Sequence, residues 1–285
     1  MPHNHGHGPV HGHGHQDEHR HQHGGGLAEL LDLDAEVMHD FLTGIAEWVR
    51  AGTGDATTVI DLGAGTGAGT LALLAQYPAA TVTAVDADPS MLARLTDKAH
   101  AHGVAGRITT VEADLDHGWP QDLPKADLIW ATNSMHHMAD PPAVLAAIRE
   151  ALTPGGTFAV VEMESFPRFL PAGDGLEDRL HAAMNRLRAE DMPHLGDDWA
   201  ATLTQAGFTV RATHRFEATL APPLPPRAAD YAHRSFARIR EGLAAVLAPG
   251  DLAALDDLLS DAGPHGLRHR TDLTIRTSRL AWLAS

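Results

Sequence analysis

Residues 59–67 read VIDLGAGTG, a run of apolar and β-branched residues that passes directly into a glycine-rich loop. A predicted strand that leads into glycines and then into a helical stretch is typical of a ligand-binding turn in an α/β sheet. Three kinds of ligand could occupy this turn: a nucleoside triphosphate, a dinucleotide, or a nucleoside whose attached group is not a phosphate. The residues around the loop bear on that choice.

Short β-rich runs alternate with helical stretches after the loop. Strands are predicted at 57–62, 81–86, 107–114, 126–132 and 157–163, and helices at 69–77, 89–103 and 140–156. This alternation predicts βαβ units and therefore a mostly parallel, doubly wound α/β sheet. Ligands of such sheets lie at the carboxyl ends of the strands.

The flanking regions have different patterns. Apolar residues recur at helical spacing over 27–52, which predicts an amphipathic helix or helix pair that ends at Gly52. Beyond residue 163 the pattern predicts helices at 174–190 and 197–207, a strand at 208–218, a proline-rich break at 221–231, further helix, and a last strand at 271–284. Because no polar linker separates these pieces, we expect them to pack on the sheet as its last two strands with helical insertions.

Residues 1–26 hold nine histidines and almost no apolar side chains. Such a composition cannot bury enough surface to offset the entropy of ordering, so this segment is predicted to be disordered. Its closely spaced imidazoles could chelate a divalent metal ion weakly, or the segment could be a solvated tail whose metal affinity is incidental. A preformed catalytic metal site is not expected there, because nothing rigid would fix its geometry.

Composition excludes several classes of function. The formal net charge is −16 and the chain has two lysines, Lys98 and Lys125, so a nucleic-acid partner is disfavoured. It has no cysteine, which excludes disulfides, thiolate ligands and a cysteine nucleophile. The start of the chain is unlike a secretory signal, and no apolar run suits a membrane span, so a cytoplasmic location is expected.

The loop itself lacks the lysine of a triphosphate-binding loop. Gly63, Gly65 and Ala68 do fit the dinucleotide pattern, and Asp86 ends the next predicted strand. However, the carboxylate of Asp61 would face a pyrophosphate unfavourably. A hydride-transferring enzyme with a nicotinamide cofactor therefore remains as the weaker alternative.

From about residue 55 to residue 165 the sequence resembles the class I S-adenosylmethionine-dependent methyltransferases. VIDLGAGTG is similar to the first motif of that family, and AVDADPSML, VEADLD, WATNSMHHMADP and ALTPGG follow in the family's order. The resemblance implies a Rossmann-like methyltransferase fold with a seven-stranded sheet and S-adenosyl-L-methionine as cofactor. It implies cofactor contacts from Asp61, Gly63, Ala64, Gly65, Gly67, Asp86, Ala87, Met91, Asp114, Leu115 and Asn133.

Methyl transfer needs the methyl donor and the acceptor's nucleophilic atom to be held in line. It does not need a nucleophilic side chain from the protein. His136 or His137, in the loop after the fourth strand, could act as a base for a hydroxyl or amine acceptor, and His136 is favoured by its place in the family's loop. Either histidine could instead only shape the pocket. A small organic acceptor is expected, because the net charge disfavours nucleic acid as the acceptor. Arsenite methylation depends on cysteines in the resembling enzymes, and this chain has none.

The predicted organisation is a His-rich tail at 1–26 followed by one methyltransferase domain at 27–285. Within it, 27–52 are cap helices, 55–165 bind the cofactor, and 166–285 contribute substrate-cap insertions and the terminal strands. A third hypothesis is a metal-responsive binding protein. In it the His-rich tail binds the metal, and the methyltransferase-like body senses the cofactor or has lost its activity. Deletion of the tail separates that hypothesis from the enzyme, whose cofactor binding should survive.

Overall fold

The computed structural model describes residues 15–192 and 194–285. Its helices are α1 (His15–Val37), α2 (His39–Thr53), α3 (Ala68–Gln76), α4 (Pro89–Ala101), α5 (Pro141–Ala151), α6 (Leu176–Asp191), α7 (Trp199–Gln205), α8 (Ala228–Leu243) and α9 (Pro249–Leu259). Its strands are β1 (Thr58–Leu62), β2 (Thr81–Asp86), β3 (Ile108–Glu112), β4 (Ala126–Thr132), β5 (Leu152–Met163), β6 (Val210–Leu220) and β7 (Ile275–Ala284). None of the described helices is long and apolar enough to cross a membrane.

The seven strands form one sheet in the order β3-β2-β1-β4-β5-β7-β6. Strands β1 to β5 pair in parallel, whereas β7 runs antiparallel between β5 and β6. The strand order reverses between β1 and β4, and a ligand crevice opens at the carboxyl ends of the strands at such a point. The predicted mostly parallel, doubly wound sheet with an antiparallel terminal pair is confirmed.

Alternating residues of the central strands bury both faces of the sheet. Ile60 and Ile129 pack on one face with Val144 of α5. Val59 and Leu128 pack on the other face with residues of α2 and α3. The near-continuous apolar runs of β1 and β4 follow from this burial on two sides.

A separate apolar cluster joins α1 to the late helices α6, α8 and α9. Leu33 of α1 is buried there with Met184, Phe236 and Leu255. Helices α8 and α9 leave the sheet after β6 and return to it at β7. Because Leu220 of β6 pairs with Ile275 of β7, this helical cap is attached at the carboxyl edge of the sheet.

The structure differs from the sequence prediction at two helix boundaries. Helix α5 ends at Ala151, before 152–156, because Pro154 lacks an N–H and disfavours helical backbone in the residue before it. Helix α1 begins at His15, so residues 15–26 are helical where composition predicts disorder. There the helix continues from the packed turn around Ala28, which is buried. The rest of the His-rich tail, 1–14, lies outside the described residues.

Candidate active site

The glycine loop between β1 and α3 is held so closely that side chains would not fit. The N–H of Gly63 donates to the carbonyl of Val85 in β2 at 2.8 Å. A Cβ at Gly63 would lie 2.4 Å from that of Ser134, and a Cβ at Gly67 would lie 2.1 Å from Cδ1 of Leu95. Both glycines also have positive φ, 67° and 88°. The loop is therefore a bare backbone cradle clamped between β2, α4 and the segment after β4.

Asp86 ends β2 and contacts this loop directly. Its Oδ2 accepts from the N–H of Gly65 at 2.7 Å, and its Oδ1 accepts from the N–H of Asp88 at 2.9 Å. Burial raises the pKa of Asp86, and these hydrogen bonds oppose the rise. A carboxylate can accept about four hydrogen bonds, so both oxygens retain capacity for a ligand's hydroxyls.

Asp61 lies within β1 beneath the loop and is fully buried. Its Oδ2 accepts from the hydroxyl of Thr70 at 2.6 Å, while Oδ1 has no hydrogen-bond partner. Desolvation raises the pKa of Asp61 to about 7; the bond from Thr70 opposes the rise, and the charge of Asp86 adds to it. A buried acid with one unpaired oxygen destabilises the folded state, and such acids are typical of functional sites.

Asn133 follows β4 with a left-handed backbone, φ 50°. Four buried side-chain atoms at this edge of the described structure have no hydrogen-bond partner: Asp61 Oδ1, Trp130 Nε1, Thr132 Oγ1 and Asn133 Oδ1. Three of them are oxygens that can accept. Unpaired acceptors favour a ligand that brings donors, such as an ammonium, hydroxyls or an amino group, over one that brings phosphates.

The remaining residues predicted for the cofactor lie around the same edge. Asp114 follows β3 and is bonded within its own turn, to the N–H of Asp116 at 3.0 Å and to Nδ1 of His117 at 2.8 Å. Leu115 and Met91 are buried, Ala64 is buried in the glycine loop, and Ala87 is exposed after Asp86. The structure thus brings Asp61, Asp86 and the glycines together and gives Asp114 only local contacts.

His136, one of the two histidines predicted as a base, is buried against an acid. Its Nδ1 lies 2.5 Å from Oε2 of Glu162 in β5. The other oxygen of Glu162 accepts from the backbone N–H groups of Ser134 and Met135 at 3.2 and 2.8 Å. Glu162 therefore orients both the ring and the loop that carries it. Glu162 is not among the residues predicted from the sequence, although a single acid in the apolar strand TFAVVEM was a signal.

His137 stacks on His136 with the ring centroids 4.2 Å apart. Desolvation, and after it the electrostatic effect of the neighbouring His136, lowers the pKa of His137 to about 4. Its side chain still reaches solvent. With this lowered pKa, His137 is neutral at pH 7 and is a weak base.

A second polar cluster lies where the cap meets the sheet. The hydroxyl of Tyr231 in α8 donates to Oδ1 of Asp34 in α1 at 2.5 Å, and Nη2 of Arg279 in β7 donates to Oδ2 at 3.1 Å. Arg279 is opposite Met163, the residue after Glu162. The three members of this cluster come from distant parts of the chain, so no local pattern predicts them.

The sequence of this region is also similar to known proteins. Residues 59–156 match the family model described as "Methyltransferase domain". This part of the chain is therefore similar to methyltransferase domains. The matched residues begin in β1 and end in β5, so they include the glycine loop, Asp86 and His136.

Two curated relatives are similar to parts of the chain. It is 32% identical over 157 residues to the malonyl-[acyl-carrier protein] O-methyltransferase of Laribacter hongkongensis, which is 53% of this chain and 50% of that one. It is 34% identical over 106 residues to the trans-aconitate 2-methyltransferase of Azoarcus sp., 37% and 39% of the two chains. The chain thus spans half or less of the length of these relatives.

The fold is shared with a solved structure, a candidate methyltransferase from Bacillus halodurans. The TM-score is 0.55 at 16% identity, and the match covers 85% of this chain and 97% of that one. At this identity the likeness concerns the fold. It extends beyond the cofactor half and includes most of the chain.

The residues present fit S-adenosylmethionine as a cofactor. The glycines at 63, 65 and 67 contribute backbone without side chains, Asp86 retains acceptor capacity, and Asn133 has an unpaired oxygen. S-adenosylmethionine supplies an ammonium, ribose hydroxyls and an adenine amino group as donors. Donors and acceptors therefore match at this edge of the sheet.

Proposed function

We propose that this protein transfers a methyl group from S-adenosylmethionine to a small organic acceptor. The observation that carries the proposal is the group of unpaired acceptor oxygens beside a bare glycine loop at the carboxyl edge. A dinucleotide would bring phosphates towards the carboxylate of Asp61, which repels them, whereas this cofactor brings donors. The family match supports the same conclusion.

When bound, the cofactor would supply an activated methyl group on a sulfonium, whose neutral thioether is a good leaving group. The chain's part is to bind, orient and exclude water. We assign Asp86 to the ribose hydroxyls, Asp61 and Asn133 to the methionine end, and Asp114 with Leu115 to the adenine. Ala64, Ala87 and Met91 would complete the walls of the site.

We assign His136 as the base that removes the acceptor's proton. Glu162 holds Nδ1 of His136 at 2.5 Å, so Nε2 is the nitrogen that exchanges the proton. The carboxylate of Glu162 also stabilises the imidazolium that forms. Glu162 is a positioning residue in this scheme. His137, with its lowered pKa, would line the site as a neutral ring. Unchanged methyl transfer by His136→Gln between pH 6 and 9 would remove this role from His136.

The acceptor is proposed to lie between the cap and the carboxyl ends of β4 and β5. The cluster of Asp34, Tyr231 and Arg279 contains charged and hydroxyl groups, and Arg279 pairs with Met163 at the carboxyl end of β5. The two curated relatives are named for malonyl and aconitate substrates, which carry carboxyl groups. Small carboxylic acids are therefore the first acceptors to screen.

Two further expectations remain proposals. We propose that the histidines of residues 1–26 bind a divalent metal weakly, on the support of their number and spacing. Equal affinity of the full chain and of a chain lacking residues 1–14 for Ni²⁺ would count against a role for those residues. A cytoplasmic location likewise stays a prediction.

Calorimetric titration of the metal-free protein tests the function. We expect micromolar binding of S-adenosylmethionine and S-adenosylhomocysteine, no binding of NAD, and at least about tenfold weaker binding of both by Asp86→Ala, since the loss of charged hydrogen bonds is worth about 1.5–3 kcal/mol. Asp127→Ala, at the other end of the sheet, is the matched control and should bind normally. Binding of NAD alone, or of none of the three, would overturn the proposal.

A further inference from the structure

Helix α1 crosses the glycine loop that the cofactor must reach. The position that a Cβ would take at Gly65 lies 3.5 Å from Cδ1 of Leu31. Among the described residues, no other heavy atom outside its chain neighbours lies within 4 Å of that position. Helix α1 is therefore the element that faces the loop at Gly65.

Lys98 of α4 joins this helix to the loop. Its Nζ donates to the carbonyl of Thr66 at 2.9 Å and to Oδ1 of Asp32, the residue after Leu31. Arg94, one helical turn earlier, contacts Oδ2 of Asp32 at 3.2 Å. The side chains of Lys98 and Asp32 are 27% and 26% exposed, so solvent screens their attraction only in part.

Lys98 does more than form a surface ion pair: it bridges the glycine loop and α1, and we call this bridge a clasp. An ammonium has three donors on one point charge, so it can bond a backbone carbonyl and a carboxylate at once. The carbonyl belongs to the residue between Gly65 and Gly67, and the carboxylate belongs to α1. One side chain therefore fixes the conformation of the cradle and the position of the helix over it.

We propose that Lys98 is a positioning residue for cofactor binding, which clasps α1 across the glycine loop through Asp32. The inference rests on the proposed function, since the loop matters only if it holds the cofactor. A bound cofactor leaves the site when α1 lifts from Gly65, and lifting breaks the contact between Lys98 and Asp32. The clasp should therefore slow cofactor release more than it affects capture.

Stopped-flow release of S-adenosylhomocysteine from the full chain tests the clasp. Lys98→Met, which keeps the length of the side chain, and Asp32→Asn should each speed release about threefold to fivefold, the effect of losing a partly exposed ion pair. Because the two changes share the contact between Lys98 and Asp32, the double variant should speed release by less than the product of the two single effects. Lys98→Arg, which keeps the charge, should stay within about twofold of the parent.

Glu29→Gln is the matched control. Glu29 lies on the same helix and pairs with Arg234 of α8, away from the glycine loop, so release should be unchanged. Thermal unfolding of each variant without ligand separates a loss of fold from a loss of the clasp, and Asp32→Asn keeps the bond from Lys98 to Thr66 intact. Release rates that match the parent in both Lys98→Met and Asp32→Asn would overturn the clasp while leaving the cofactor assignment in place. Failure of the parent protein to bind S-adenosylhomocysteine would overturn both.

Discussion

Asp127 lies at the amino end of β4 and Asp61 near the carboxyl end of β1, the neighbouring strand. Asp127 accepts four hydrogen bonds, from the N–H and hydroxyl of Thr57, the N–H of Thr58 and the hydroxyl of Thr153, all between 3.0 and 3.1 Å. These bonds lower its pKa. Asp61 accepts one bond, leaves an oxygen unpaired, and has its pKa raised by burial.

The difference separates the two tasks of a carboxylate in one sheet. At the amino end the acid fastens β1, β4 and β5 together and its capacity is used within the protein. At the carboxyl end acids and oxygens are left short of donors, which destabilises the free protein and is resolved when a ligand brings donors. The number of hydrogen bonds that an acid accepts within the protein thus distinguishes the amino end of the sheet from the proposed binding end more clearly than residue type does.

The largest effect is expected from adding one methyl group at each end. Gly63→Ala places a Cβ 2.4 Å from that of Ser134 at φ 67°, so we expect a loss of roughly 3 kcal/mol in unfolding free energy and no cofactor binding. Gly155→Ala at the amino end has φ 84° but nothing within 4 Å, so strain alone costs about 1 kcal/mol. Urea unfolding and calorimetry measure both. Equal losses, or cofactor binding damaged by Gly155→Ala, would break the comparison.

A smaller effect, opposite in sign at the two ends, is expected from replacing each acid by its amide. The raised pKa of Asp61 means that the folded state holds a proton which the unfolded state releases, so stability falls as pH rises from about 4 to about 7. Asp61→Asn should therefore be more stable than the parent at pH 8, by roughly 2 kcal/mol, and should bind cofactor less well. Its stability should also depend less on pH across that window.

Asp127 has a lowered pKa, so its contribution is present at neutral pH and is lost as pH falls through that pKa. Asp127→Asn should be less stable than the parent at pH 7 by about 1 kcal/mol and should bind cofactor normally. Thermal unfolding from pH 3 to pH 8 measures both variants. A stabilising Asp127→Asn, or a destabilising Asp61→Asn at pH 8, would show that hydrogen-bond satisfaction does not distinguish the two ends.

Much of the sheet could be predicted because its signals are local. The strand at 81–86, the glycine loop and Asp86 each follow from periodicity and short motifs, and the structure has them in contact. Contacts between distant segments could not be predicted. Glu162 of β5 meets His136, which follows the neighbouring strand β4, and Asp32 meets Lys98 across 66 positions. The first pairing depends on the pairing of β4 with β5 and the second on where α1 packs against α4, and no window of sequence contains either.

Hydrogen exchange of the backbone amides, with and without S-adenosylhomocysteine, tests the central claim that the carboxyl end of the sheet binds the cofactor. The account predicts slower exchange on binding at 61–67, 86–91 and 133–137, and at the part of α1 around Leu31. It predicts no change at Thr57 and Thr58, beside Asp127. Protection at the amino end, or no protection at the glycine loop when ligand is bound, would contradict it.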